Sequence, residues 1–413
     1  MARESGAGDG PEDGRARKRA RPGRIATLAA VGTTVVTVLP VFLVGGLSVQ
    51  LGADTGLGPA MLGIVVAVYW ASSASFSSAA GRLSARIGSR SGMAAAALGG
   101  GVALAGIAAL TPTWPWLCLW LVVAGAANAL GHPPSNALIA AEVSRRNRAL
   151  AFGLKQAAIP LATLSAGLAV PVLALTLGWR WSFAIAAGFA LVMVVVVGLT
   201  VPSLASPRSG RPPRGARIPA SLLPFLLLAS TASGLGAAQA NVIGAFTVSA
   251  ASQSGFSAAS AGLLLSLGSV AGIVARPLAG LAADRRIGGT MATVSLMLAT
   301  GALGLVGMAI GLPWTFAVGC VLAFGLGWGW NGLVHFVVTD VSHPFGAQAT
   351  GLVQAGAYIG SAAGPFVFGF VFDSFGPSVG WSCAAVVAVL AAIVALLAHR
   401  IRPTDHPLER TEP

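Results

Sequence analysis

Long apolar runs organise this chain, with short polar or turn-forming breaks between them. Crossing ~30 Å of hydrocarbon at 1.5 Å per residue takes a helix of ~20 apolar residues. Such runs lie near 25–50, 58–80, 93–111, 115–140, 149–176, 180–201, 219–248, 258–281, 290–311, 314–338, 347–372 and 379–399. They predict twelve membrane-spanning helices, called spans 1 to 12. The breaks carry turn chemistry, as at 52–55, Thr111-Pro112-Thr113, Gly178-Trp179-Arg180, Gly311-Leu312-Pro313 and 373–377. One stretch, 202–218, alternates Pro and Arg with no apolar period and reads as a linker. It separates a six-helix unit at 25–201 from a second at 219–400. Residues 1–24, rich in Gly, Arg and acids, read as a disordered tail, and 401–413 as a second tail. The apolar run after the first tail is too long for a cleaved secretion signal and reads as a retained first helix.

Composition narrows the class. Hydrophobic residues make up 55% of the 413 positions and charged residues only 9%. A soluble domain carries about 25% charged residues to cover its surface, so a soluble enzyme is excluded. The net charge of +13 is a matter of topology. With the N-terminus in the cytoplasm, Arg82, Arg86, Arg90, Arg145, Arg146, Arg148, Arg208, Arg211, Arg285, Arg286, Arg400 and Arg402 all fall on cytoplasmic segments. The outer loops hold only Arg180. This is the positive-inside pattern, with both termini cytoplasmic, and no nucleic-acid partner is needed to explain the charge. Cys118, Cys320 and Cys383 sit in apolar runs, fit no metal-ligand spacing and read as packing residues. No cofactor is expected.

The two halves repeat. Glu142…Gly153-Leu154-Lys155-Gln156-Ala157 matches Asp340…Gly351-Leu352-Val353-Gln354-Ala355 at an offset of 198. Ala80-Gly81-Arg82-Leu83-Ser84-Ala85-Arg86 matches Ala279-Gly280-Leu281-Ala282-Ala283-Asp284-Arg285 at 199, and Trp181-Ser182 matches Trp381-Ser382 at 200. Six helices per half make these parallel repeats about an axis along the membrane normal. The loop G-R-L-S-A-R-I-G-S-R at 81–90 resembles the G-x-L-x-D-R-x-G-R-(K/R) signature of the major facilitator superfamily, and so does G-L-A-A-D-R-R-I-G at 280–288. Ala85 stands where the acid of that signature usually sits. The resemblance covers residues 25 to 400. It implies an all-α membrane protein of twelve transmembrane helices in two pseudo-symmetric six-helix bundles, working as a secondary transporter by alternating access. It also implies a cytoplasmic gate at Gly81, Arg86, Arg90, Gly280, Asp284 and Arg285. The G-x-x-x-G-P element at 360–365 reads as a helix-packing feature.

An ionisable group inside a span costs ~2.5–3.5 kcal/mol, so it faces a cavity or a partner. Lys155 lies about two turns into span 5, beside Gln156, deep enough to line a cavity although its stem has partial reach to the interface. In span 4, Asn128, His132 and Asn136 repeat at i, i+4, i+8 and share a face; span 10 has Asn331 and His335, and span 11 Gln354 and Tyr358, each at i, i+4. These polar stripes predict a water-lined path between the bundles. Arg276 reads as part of the inner gate. Fixed positive charge with no carboxylate at mid-depth favours a small organic anion as substrate, with His132 or His335 available to a coupling proton. The other readings are an efflux pump for apolar or drug-like compounds, with Trp328, Trp330, Tyr69 and Trp70 lining the pocket, and a membrane sensor or scaffold without flux. A membrane-embedded enzyme is disfavoured, since no nucleophile–base pair, metal cluster or phosphate loop is evident. The expected partners are the lipid bilayer and a small-molecule substrate, and the expected state is a monomer.

Overall fold

In the computed structural model, which describes residues 11–144, 147–203, 218–284, 290–343 and 345–402, every span expected from the apolar runs is helical. Ten helices are long and apolar enough to cross a membrane. One of them, Pro59–Ala109, is 51 residues long and carries two crossings, spans 2 and 3. Its backbone turns at Gly88, with φ 80° and ψ 178°, inside the loop that was expected to separate them. The positive φ suits a residue without Cβ. Span 10 is in two pieces, Pro313–Gly325 and Asn331–Val341, so the crossings total twelve. Span 1 lies within a helix drawn from Pro11 to Gly46, so the backbone from residue 11 onward, expected as tail, is helical.

With twelve crossings, the start of span 1 and the end of span 12 fall on one side of the bundle, here the terminal face; the other side is the far face. Spans 1–6 and 7–12 form two bundles that meet along three seams: span 2 (within Pro59–Ala109) on span 11 (Gly346–Phe375), span 5 (from Arg148–Gln156 into Ala158–Ala169) on span 8 (Ala258–Asp284), and span 1 on span 7 (Leu223–Gln253). Towards the far face these seams close to backbone contact. A Cβ added at Gly167 would stand 2.5 Å from the Gly262 carbonyl oxygen, and one at Gly45 would stand 2.7 Å from Ala245 Cα. At Gly63 it would collide with the carbonyl oxygen of Pro365. Small residues admit such approaches, and dispersion over the tightly packed surfaces holds helices together where lipid is as apolar as the side chains.

Towards the terminal face the seams part. Residues 74–79 of span 2 are exposed or half-buried at six consecutive positions, so the face turned to the other bundle is thinly covered as well as the outer one. A Cβ at Gly153 in span 5, or at its repeat-equivalent Gly351 in span 11, would meet nothing within 4 Å. The bundles are therefore closed at the far face and open at the terminal face.

This asymmetry yields a stability prediction. Gly63→Val is expected to lower the melting temperature of the purified protein, an overpacking cost of about 1–3 kcal/mol. Gly188→Ala, where added atoms meet nothing within 4 Å, is expected to leave it unchanged or raise it. Equal melting temperatures for Gly63→Val and the parent would argue against the closed seam.

Candidate functional site

Proline and glycine inside the spans shape the interior, because each interruption releases a backbone group that has no water to bond. In span 5, Pro160 has no N–H to give the carbonyl of Gln156, four residues earlier. That carbonyl accepts instead from Arg276 Nη1 of span 8, at 3.1 Å across the bundle interface. Arg276 Nη2 donates to Trp328 O at 3.4 Å, and the guanidinium lies over the Trp328 ring, 5.5 Å from its centroid. Trp328 belongs to the break in span 10, where Gly325, Gly327 and Gly329 alternate with bulky residues. A second carbonyl of this break, Gly327 O, accepts from Gln239 Nε2 of span 7 at 2.6 Å. Arg276 Nε and Gln239 Oε1 are both buried without a partner.

Directly before Gln156, Lys155 is 2% exposed. Its Nζ donates to Asn136 Oδ1 at 2.5 Å and contacts His132 Nδ1 at 3.3 Å. Span 4 (Trp114–Glu142) presents these two side chains one turn apart, in a stretch that Pro133 and Pro134 interrupt. Asn136 itself is exposed. Both partners are neutral hydrogen-bonding groups, with His132 acting as acceptor towards the ammonium. Lys155, His132 and Asn136 therefore meet, while Gln156 bonds through its carbonyl to Arg276 instead.

Asn128 is elsewhere. It is fully buried two turns towards the far face, donates through Nδ2 to Ser73 Oγ at 3.2 Å and accepts from Thr37 Oγ1 at 3.4 Å. Tyr69 donates to the Thr37 carbonyl at 2.9 Å, completing a knot between spans 1, 2 and 4. The side-chain bonds of Asn128 in this structure all lie within the first bundle. On the other side, His335 pairs with Gln354 between spans 10 and 11, and Tyr358 pairs with Ser77 of span 2, its ring 6.2 Å from that of Trp70. Asn331 begins the second piece of span 10, half-buried beside the break.

Of the expected gate residues, two face open space or solvent and one bonds to backbone. Gly81 has open space around it, Arg86 is exposed, and Arg90 Nε donates to Val201 O at 2.6 Å, tying the start of span 3 to the end of span 6. Gly280 lies in the helix that Asp284 ends, and Arg285 falls outside the described residues.

Sequence reasoning missed the inter-bundle pairs Thr163 Oγ1 with Ser269 Oγ, at 2.7 Å, and Ser77 with Tyr358. Short hydroxyls are too common in spans to signal a partner. The Arg276 bridge did leave a signal, a proline four residues after a carbonyl beside the only lysine of the spans. Asn128→Val is expected to lower the melting temperature by the equivalent of about 0.6–1.7 kcal/mol and to leave any ligand-induced stabilisation intact. A variant of unchanged stability that lost the ligand shift would return Asn128 to the binding site.

Comparison with known proteins agrees with this architecture. The family model described as Major Facilitator Superfamily matches residues 26–344 and, in an overlapping match, 226–413. No curated protein matches. Among solved structures, a D-xylose-proton symporter superposes with a TM-score of 0.73 at 18% identity, covering 92% of this chain and 97% of its own. A bacterial homolog of the human lysosomal transporter Spinster, inward-facing and unoccupied, gives 0.69 at 14% identity, covering 92% and 98%. At such identities the likeness is one of fold. With the family model spanning nearly the whole chain, two six-helix bundles, and a signature loop in each half, the protein belongs to the Major Facilitator Superfamily of membrane transporters.

Proposed function

We propose that the protein is a secondary transporter that moves a small organic anion across the cytoplasmic membrane by alternating access, with Lys155 as the cation that holds it. The observation carrying this reading is the burial of Lys155, 2% exposed, between the neutral groups Asn136 and His132. A cation inside a span costs ~2.5–3.5 kcal/mol. Hydrogen bonds to an amide and an imidazole offset part of that, and an anion offsets the rest by direct Coulomb attraction at reduced dielectric. The Arg distribution assigns the terminal face to the cytoplasm, so the arrangement described here is open inward and sealed outward. Alternating access then requires the glycine-rich far-face seams to part while the terminal halves close. By its name, the D-xylose symporter of the same fold couples to protons.

A second reading, efflux of apolar compounds, draws on the indole N–H groups of Trp70 and Trp330, which are buried without acceptors. Proteoliposome flux separates the two. Lys155→Gln is expected to reduce flux of labelled organic acids by about tenfold or more, the usual consequence of removing a buried charge partner. Lys155→Arg should retain more of it. Unchanged acid flux in Lys155→Gln would discard the anion reading, and dye efflux insensitive to that substitution would favour the apolar one.

A further inference from the structure

Among the described residues, two buried cations converge on one stretch of span 5, Lys155 as part of it and Arg276 of span 8 through the carbonyl of Gln156, and each comes with neutral partners. Lys155 Nζ points into the first bundle, to Asn136 and His132. Arg276 reaches from the second bundle to the carbonyl of the next residue, Gln156, and to Trp328 O. Arg276 is 9% exposed, its Nε has no partner, and its guanidinium remains protonated in any protein environment. Backbone carbonyls satisfy two of its donors without neutralising its charge. Burying a cation against uncharged acceptors leaves most of its desolvation uncompensated.

We propose that the ligand is a small dicarboxylate, one carboxylate on Lys155 from the first bundle and the other on Arg276 from the second. The proposal rests on the anion reading above and sharpens it to a charge count. A monoanion would neutralise one cation and leave the other buried and uncompensated, whereas a dianion neutralises both. Arg276 is built for the second carboxylate. Its free Nε–H shares one planar edge of the guanidinium with a single Nη donor, a fork that binds a carboxylate through two parallel hydrogen bonds. An ionised oxygen is also a stronger acceptor than the carbonyl of Gln156. Arrival of the ligand therefore competes for the contact that joins span 5 to span 8, which links occupancy of the site to the seam between the bundles. The break in span 10 supports the same placement. Interrupted helices in transporters occur where backbone lines a binding cavity, and Trp328, in this break, both stacks on Arg276 and accepts from it.

The test is thermal stabilisation of the purified full chain by malonate, succinate and glutarate, set against propionate, butyrate and valerate. In the parent protein, the best dicarboxylate is expected to act at concentrations roughly tenfold lower than the monocarboxylate of equal length. Arg276→Gln should abolish that preference while monocarboxylates still stabilise through Lys155, and Arg276→Lys should retain it. If the parent responds to both series equally, or if Arg276→Gln keeps the preference for dicarboxylates, the two-cation site is overturned while the anion reading stands. If neither series stabilises the parent, the anion reading falls and takes the dicarboxylate with it. The comparison within the parent is decisive even if a variant fails to fold.

Discussion

Backbone groups inside a membrane have no water to fall back on, and the interior of this protein follows from that constraint. An uninterrupted helix satisfies it alone. Each proline or glycine break does not, and the released carbonyl has to find a donor on another helix. Pro160 leaves the carbonyl of Gln156 to Arg276, and the glycine-rich break in span 10 leaves Gly327 O to Gln239 and Trp328 O to Arg276. Interruptions that would weaken a soluble helix thus become the joints at which helices, and the two bundles, are connected. Joints made of single hydrogen bonds can be exchanged, whereas a continuous packed seam cannot be remade without moving whole helices.

The two faces of the molecule divide these roles. At the far face, glycines of spans 1, 2 and 5 bring backbones of opposite bundles into contact, where a single added methyl would collide. That seal has no chemistry of its own and depends on shape. At mid-depth and towards the terminal face, polar groups take over: Thr163 with Ser269, Tyr358 with Ser77, Arg276 with Gln156. Lys155 and Arg276 lie in this polar zone.

The solved structures of the same fold share only 14–18% of residues with this chain over more than nine-tenths of its length. Such a fold is specified by the length, apolarity and small-residue faces of its helices, properties that many sequences satisfy. Substrate choice rests on a few charged and polar side chains at the interface. For that reason the sugar named for one relative says nothing of this chain's own substrate.

The sequence by itself determined the number of spans, the two-bundle division, the repeat, and the presence of polar residues at particular depths. These are local properties: a run of apolar residues long enough to cross hydrocarbon has to do so, and a lysine within it has to find company. Lys155 with His132 and Asn136 was legible because helical spacing put the latter two on one face of span 4. Tertiary structure alone decided which groups met across the chain. Asn128 shares that face, yet it is spent on Ser73 and Thr37, because spans 1 and 2 pack on it at that height. Span 10 reads as one apolar run, and its break is invisible to hydropathy, since glycine and tryptophan carry no charge and both are common in membrane segments. The bridge from Arg276 to Gln156 joins residues 120 apart. No periodicity reaches that far, and the pairing exists because the two bundles close on one another with span 8 against span 5.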